Sequence, residues 1–186
     1  MQSSSRPLIL LVHAMHESGT RLLREAGEVR MAGGSDPATL QHAVLGAEAL
    51  LIRTGGVIDG PLMDKGTDLK VIGRHGVGYD QIDIQAATEH GIQVVYTPGA
   101  NTQSVAEHVF AFMIGLSKHF PRMIAELARG NYAVRTTLTG CEIAGKTLGI
   151  IGFGRIGRRV GEIAHLGFGM KVLYHDIVPA PEEVEL

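Results

Sequence analysis

One stretch constrains the fold of this chain more than any other: Thr147 to Asp176, TLGIIGFGRIGRRVGEIAHLGFGMKVLYHD. An apolar run, Leu148 to Phe153, leads into Gly152, Gly154 and Gly157. A helical pattern follows at Ile156, Val160, Ile163 and Ala164. The chain leaves through Gly167 and Gly169 and rises again from Met170 to Tyr174, ending on Asp176. GxGxxG by itself is a weak signal. Placed after a strand, before a helix and with an acid 19 residues beyond the last glycine, it is a strong one for a dinucleotide site.

Each residue type has a physical reason. Gly152 permits the tight turn, Gly154 lets a pyrophosphate approach the backbone, and Gly157 lets helix and strand pack closely. The free N–H groups of Arg155 and Ile156 at the helix start, together with the helix dipole, favour phosphate. Asp176, at the end of the second strand, can accept from the adenosine ribose hydroxyls. Its carboxylate repels a 2′-phosphate, and no Arg or Lys follows it in Ile177-Val178-Pro179, so NAD is expected over NADP. The competing reading is a βαβ unit whose glycines serve packing alone.

The rest of the chain excludes several classes. A net charge of −2 and a pI near 6.5 argue against nucleic acid or an acidic membrane surface as partner. The single cysteine, Cys141, rules out an internal disulfide and points to a reducing compartment. No apolar run approaches the roughly 18 residues of a membrane span. LILLV at 8–12 is too short for a signal segment. A cytoplasmic protein is expected. No HExxH, CxxC or clustered ligand spacing suggests a metal. The nine histidines are scattered; His75 lies nearest a possible substrate turn.

Before the glycine motif, five apolar segments alternate with helical ones. Strands are expected over 7–13, 28–32, 49–52, 69–73 and 92–96, and helices over 17–26, 36–46, 58–65 and 84–90. Asp36 is placed to cap the second helix, with Pro37 at its first position. Residues 1–6 read as a mobile polar leader. Such alternation argues a parallel sheet covered on both faces, with ligands beyond the carboxyl ends of the strands. Two of those ends carry chemistry, Arg53-Thr54-Gly55-Gly56 and Arg74-His75-Gly76-Val77-Gly78-Tyr79. The backbone N–H groups of Val77 and Gly78, with Arg53 nearby, can hold an anion. Two ordinary glycine turns and a solvated arginine fit the spacing equally well.

Thr97-Pro98-Gly99-Ala100 reads as a domain crossover. A long helix follows, with Asn101 as cap, a capping box over 104–107, and a buried face at Val105, Val109, Phe112, Met113 and Leu116. Pro121 interrupts it, a helix resumes over 122–129, and 131–144 is expected to be irregular and to wrap over another surface, such as a second subunit. After Asp176 the chain ends in Pro179, Pro181 and the acidic EEVEL.

GRHGVGYDQIDIQAATEHGIQVVYTPGANTQSVAEHVFAFMIGL, GNYAVRTTLTGCEIAGKTLGIIGFGRIGRRV and VLYHD, in this order, closely resemble the D-isomer-specific 2-hydroxyacid dehydrogenases, the family of phosphoglycerate and glycerate dehydrogenases. The likeness runs from about residue 48 onward. It implies an α/β protein: a flavodoxin-like parallel-sheet substrate domain at 1–98, lacking its C-terminal helix, then an incomplete Rossmann NAD-binding domain at 99–186. The segment 117–145 would be a dimerisation arm making a homodimer, although this chain has no Trp near Tyr132 where relatives often carry one. Carried over by position, Arg53, Val77, Gly78 and Asn101 would meet a small 2-hydroxy or 2-keto acid. Thr102, Gly152, Gly154, Arg155, Ile156, Gly157 and Asp176 would meet NAD.

The family's catalytic Arg and its Glu–His pair follow the second strand of the NAD domain, so they are expected downstream of Leu186. The resemblance therefore implies a C-terminally truncated NAD-dependent oxidoreductase acting on the CH–OH group of a D-2-hydroxy acid, inactive as this chain alone. The alternatives are a non-catalytic NAD-binding or dimerising protein, and a relic unable to fold.

Overall fold

The computed structural model describes residues 6–178. The chain separates into two compact units, Met1–Ala100 and Asn101–Leu186.

The first unit is a five-stranded parallel sheet of order β2-β1-β3-β4-β5. Its strands are β1 (Leu8–Leu11), β2 (Glu28–Met31), β3 (Ala49–Ile52), β4 (Val71–Arg74) and β5 (Gln93–Tyr96). This is the flavodoxin-like strand order, reversing direction at β1 and β3. Between the strands run α1 (Glu17–Ala26), α2 (Pro37–Ala43), α3 (Gly60–Lys65) and α4 (Ile84–Glu89). Side-chain alternation sorts the strands into two faces. Leu10, Leu50, Ile72 and Val94 are in register and pack with Leu40, Leu62, Met63, Ala86 and Ala87 into one core. The opposite row is Leu11, Leu51, Gly73 and Val95. There Leu11 is buried, but Val95 is half exposed.

Three helices start where a short acid can cap them. Asp36, Asp59 and Asp83 accept from the N–H groups of Thr39, Leu62 and Ala86 at 3.0, 3.1 and 2.9 Å. Each satisfies an orphan donor of the first turn. The third helix therefore begins at Gly60, not Ile58. Ile58 instead bridges in parallel to Ile82, because an apolar residue before the Asp59 cap is better spent in the core. Arg6, expected in a mobile leader, bonds to the carbonyls of Arg24 and Glu25. The rest of that leader, and the expectations for Pro179, Pro181 and EEVEL, lie outside the described residues.

The second unit holds α5 (Thr102–Ser117), α6 (Phe120–Ala128), α7 (Val134–Thr137), β6 (Thr147–Ile151), α8 (Arg155–Phe168) and β7 (Lys171–His175). β6 and β7 pair in parallel from Thr147↔Lys171 to Ile151↔His175. Helices α5 and α8 pack together around Ala106, Phe110, Val160, Ala164 and Met170. Phe110 stacks on Phe168 at 5.3 Å.

Four expectations are corrected here. The buried stripe of α5 is Ala106 and Phe110, flanked by Val109 and Met113, while Phe112 and Leu116 are 61% and 71% exposed. Asn101 occupies the N-cap position without a side-chain capping bond. The irregular segment 131–144 contains α7, whose Val134 is buried. Pro121 opens α6 rather than merely interrupting a helix. The break is made by His119 in the left-handed region at φ 54°.

Candidate functional site

In the second unit the strand–turn–helix–strand folds as its pattern dictates. β6 ends at Ile151 and Gly152 turns with φ 89°, a conformation that favours glycine. A Cβ on Gly157 would collide with the Gly152 carbonyl oxygen, whereas a Cβ on Gly154 would meet nothing within 4 Å among the described residues. The two glycines thus serve different ends. Gly157 sets the distance between helix and turn, and Gly154 faces open space into which a ligand can come against the backbone. Gly154 is the N-cap of α8 and makes no side-chain cap. Among the described residues no acceptor meets the N–H groups of Arg155, Ile156 or Gly157. These donors, at the positive end of a 14-residue helix, form a ready anion site.

Asp176 closes the turn from the other strand. Its Oδ2 accepts the Phe153 N–H and its Oδ1 accepts the Val178 N–H at 3.0 Å. These two amides, Val178 first and Phe153 next, hold its carboxyl below the usual carboxylate value. Thus Gly152, Gly154, Arg155, Ile156, Gly157 and Asp176 are brought together around one turn. Thr102 opens α5 beside Gln103, whose Oε1 accepts from Arg159 Nε at 2.6 Å, so the start of α5 lies against α8. Asn101 precedes it.

The motif does not reveal the part played by its intervening residue. Phe153 is 2% exposed, stacks on Tyr174 at 4.1 Å and 14°, and its carbonyl accepts from Arg158 Nε at 3.0 Å. Nothing in GxGxxG marks that position, since the pattern leaves it free.

In the first unit the candidate acid-binding residues follow neighbouring strands, since Ile52 pairs with Arg74. Arg53 is exposed and makes no hydrogen bond or ion pair among the described residues. The N–H groups of Val77 and Gly78 likewise meet no acceptor there. The turn before them is held from behind. Arg74 donates to the His75 carbonyl at 2.5 Å, His75 N–H donates to Ile52, and Thr97 N–H donates to Gly76. Gly76 has φ 152°, and a Cβ there would strike the Arg74 guanidinium. A pocket of about 210 Å³ opens beside it, lined by Met15, Leu51, Gly73, Arg74, Val95 and Tyr96. His75 lines it too; the sequence placed Arg74 in this turn but did not show that its guanidinium folds back onto the His75 carbonyl.

Among the described residues no group of three or more His, Cys, Asp or Glu is placed to hold a metal ion. None of their helices is long and apolar enough to cross a membrane.

Comparison with known proteins agrees with this geometry. The chain is 41% identical over 168 residues to the D-3-phosphoglycerate dehydrogenase of Methanocaldococcus jannaschii, covering 90% of this chain and 32% of that protein. The NAD+-bound 3-phosphoglycerate dehydrogenase of Entamoeba histolytica superposes with a TM-score of 0.74 at 30% identity, over 96% of this chain and 56% of that one. The NADPH-dependent glyoxylate/hydroxypyruvate reductase of Sinorhizobium meliloti, in complex with NADP and malonate, gives 0.81 at 27% identity over 97% and 56%. The chain spans about a third of the length of the curated relatives it matches. Residues 9–161 match the model of the D-isomer specific 2-hydroxyacid dehydrogenase catalytic domain. With the glycine turn, its acid and the flavodoxin-like sheet in place, the chain belongs to the D-isomer specific 2-hydroxyacid dehydrogenase family.

Proposed function

We propose that this chain supplies the substrate-side loops and the pyrophosphate and ribose half of the cofactor site of an NAD-dependent oxidoreductase acting on a D-2-hydroxy acid. The observation that carries the reading is the turn at Gly152–Gly157, with three donors lacking acceptors among the described residues and a carboxylate at its rim. The residues present fit the dinucleotide. Arg155 and Ile156 offer N–H groups to the pyrophosphate, Gly154 leaves room for it, Thr102 lies on the α5 side, and Asp176 takes the ribose hydroxyls. NAD, when bound, supplies reversible hydride transfer at its nicotinamide.

Charge favours NAD over NADP. Asp176 is held ionised by the Val178 and Phe153 amides, so a 2′-phosphate would face a fixed negative charge. In the first unit, Val77 and Gly78 are assigned to the carboxylate of the acid and Arg53 to its counter-charge; in the second, Asn101 is assigned a substrate contact by the family resemblance. The acid-orienting Arg and the Glu–His proton relay that the family resemblance implies are not assigned to any residue of this chain. We therefore infer binding without turnover for the 186-residue chain by itself, as part of a longer enzyme or as a non-catalytic NAD-binding protein.

The arm 117–145 is proposed to join two copies. Its support is the apolar side chains left outside on α6 and beyond: Phe120, Ile124 and Tyr132 are 45%, 65% and 71% exposed.

Calorimetric titration of the chain with NAD tests the reading, and saturable binding is expected. No heat of binding at millimolar NAD would contradict it. Assays of NADH oxidation with hydroxypyruvate, pyruvate and glyoxylate are expected to show no turnover. Turnover would overturn the assignment of the proton relay to residues outside this chain.

A further inference from the structure

We propose that Asp176 is a positioning residue for the pyrophosphate turn as well as an acceptor for ribose: its carboxylate fixes Phe153, and through Phe153 the turn from Gly152 to Gly154. The inference rests on the nucleotide-site reading above and gives that site a second dependence on the same acid.

The geometry is specific. Phe153 is held on three sides. Its N–H is taken by Asp176 Oδ2, its carbonyl accepts from Arg158 Nε, and its buried ring lies flat on Tyr174. One residue earlier, the Gly152 N–H donates to the His175 carbonyl at 2.8 Å, extending the β6–β7 ladder into the turn. At Arg155, Ile156 and Gly157 the pattern changes, and their N–H groups have no acceptor among the described residues. The donors that face a pyrophosphate are therefore aimed by the residues just before them. Asp176 touches the turn and, on the cofactor-site reading above, takes the ribose as well. Holding such donors in place before the ligand arrives removes an ordering cost from binding.

The carboxylate has capacity for both tasks. It offers about four lone-pair sites; the amides of Phe153 and Val178 occupy two, which leaves two for ribose hydroxyls. Replacing Asp176 to relieve repulsion of a 2′-phosphate would at the same time release Phe153. Cofactor preference is thus not separable from turn geometry at this position.

A cycle that edits ligand and protein together tests this. ADP and 2′,3′-dideoxy-ADP are titrated into the 186-residue chain and its Asp176→Ala and Asp176→Asn variants. A carboxylate acting only through ribose leaves dideoxy-ADP binding unchanged in Asp176→Ala, or improves it by removing a negative charge. That result would overturn the proposal. The expected result is a loss of about fivefold for dideoxy-ADP in Asp176→Ala, the equivalent of one net hydrogen bond. Asp176→Asn keeps a carbonyl oxygen for the Phe153 N–H and should stay within about twofold.

Amide hydrogen exchange at Phe153 in the ligand-free protein reads the positioning role without any nucleotide. It should accelerate in Asp176→Ala and not in Asp176→Asn; equal exchange in all three overturns the proposal. If the unsubstituted chain binds neither nucleotide, the cofactor-site reading fails, and the exchange measurement still decides the role of Asp176. If Asp176→Ala does not fold, Asp176→Ser takes its place in both measurements.

Discussion

At Gly157, collision with the Gly152 carbonyl, not backbone freedom, excludes a side chain. Gly157→Ala should therefore push α8 off the turn and destabilise the chain by about 2 kcal/mol, the range for overpacking a close contact. Denaturant unfolding measures the loss, and NAD affinity should fall with it. His90 makes a second residue-scale prediction. Its Nδ1 faces the Ala86 carbonyl at 2.8 Å and its Nε2 faces Asp64 at 2.9 Å, so only the doubly protonated ring donates to both. The Ala86 carbonyl first, and then Asp64, raises its pKa above 6.5. The folded state holds this proton more tightly than the unfolded one. The contribution to stability is complete below pH 6.5 and is lost as pH rises through the raised value. Thermal melts from pH 6 upward should fall in the protein and be flatter in His90→Gln; identical slopes would contradict the pairing. Glycine roles were legible in the sequence because GxGxxG is read through its backbone demands. Phe153 was not, because its importance comes from Tyr174, Arg158 and Asp176, which meet it only after folding.

At the scale of elements, starts and stops were largely legible. Asp36-Pro37 opens α2 and Gly169, at φ 57°, closes α8, both by local chemistry that sequence displays. The face of α5 was not legible. The run from Val105 to Leu116 is apolar at so many positions that a 3.6-residue period selects no single side, and tertiary packing chose Ala106 and Phe110 over Phe112 and Leu116. Ile124 on α6 is where the proposed pairing of two copies is exposed to test. Ile124→Asp, which touches no part of the buried core, should shift sedimentation from a dimer to a monomer. A chain already monomeric, or a dimer unmoved by the charge, would contradict the arm as its interface.

At the scale of the whole molecule, the alternation of strands and helices announced a parallel sheet, and the switch of pattern near Thr97-Pro98-Gly99-Ala100 announced a second unit. The expectation of cover on both faces came only partly true within the first unit. α2, α3 and α4 close one side, while Leu51, Gly73 and Val95 line an open pocket on the other. No local pattern could report that, since a strand's apolar residues do not say which element covers them. The first unit has its own core of fully buried side chains, so residues 1–100 expressed alone should unfold in one cooperative transition; a broad, non-cooperative melt would contradict an independent core.

The central claim is that residues 152–157 and Asp176 hold the pyrophosphate and ribose of NAD. Titration of the isotopically labelled chain with NAD and with NADP, following the amide signals of Phe153 to Gly157 by NMR, tests it most directly. Saturable shifts at those amides, with NAD bound about tenfold or more tightly than NADP, are predicted from the fixed charge of Asp176. Signals that do not move at millimolar NAD, or that respond equally to both nucleotides, would contradict it.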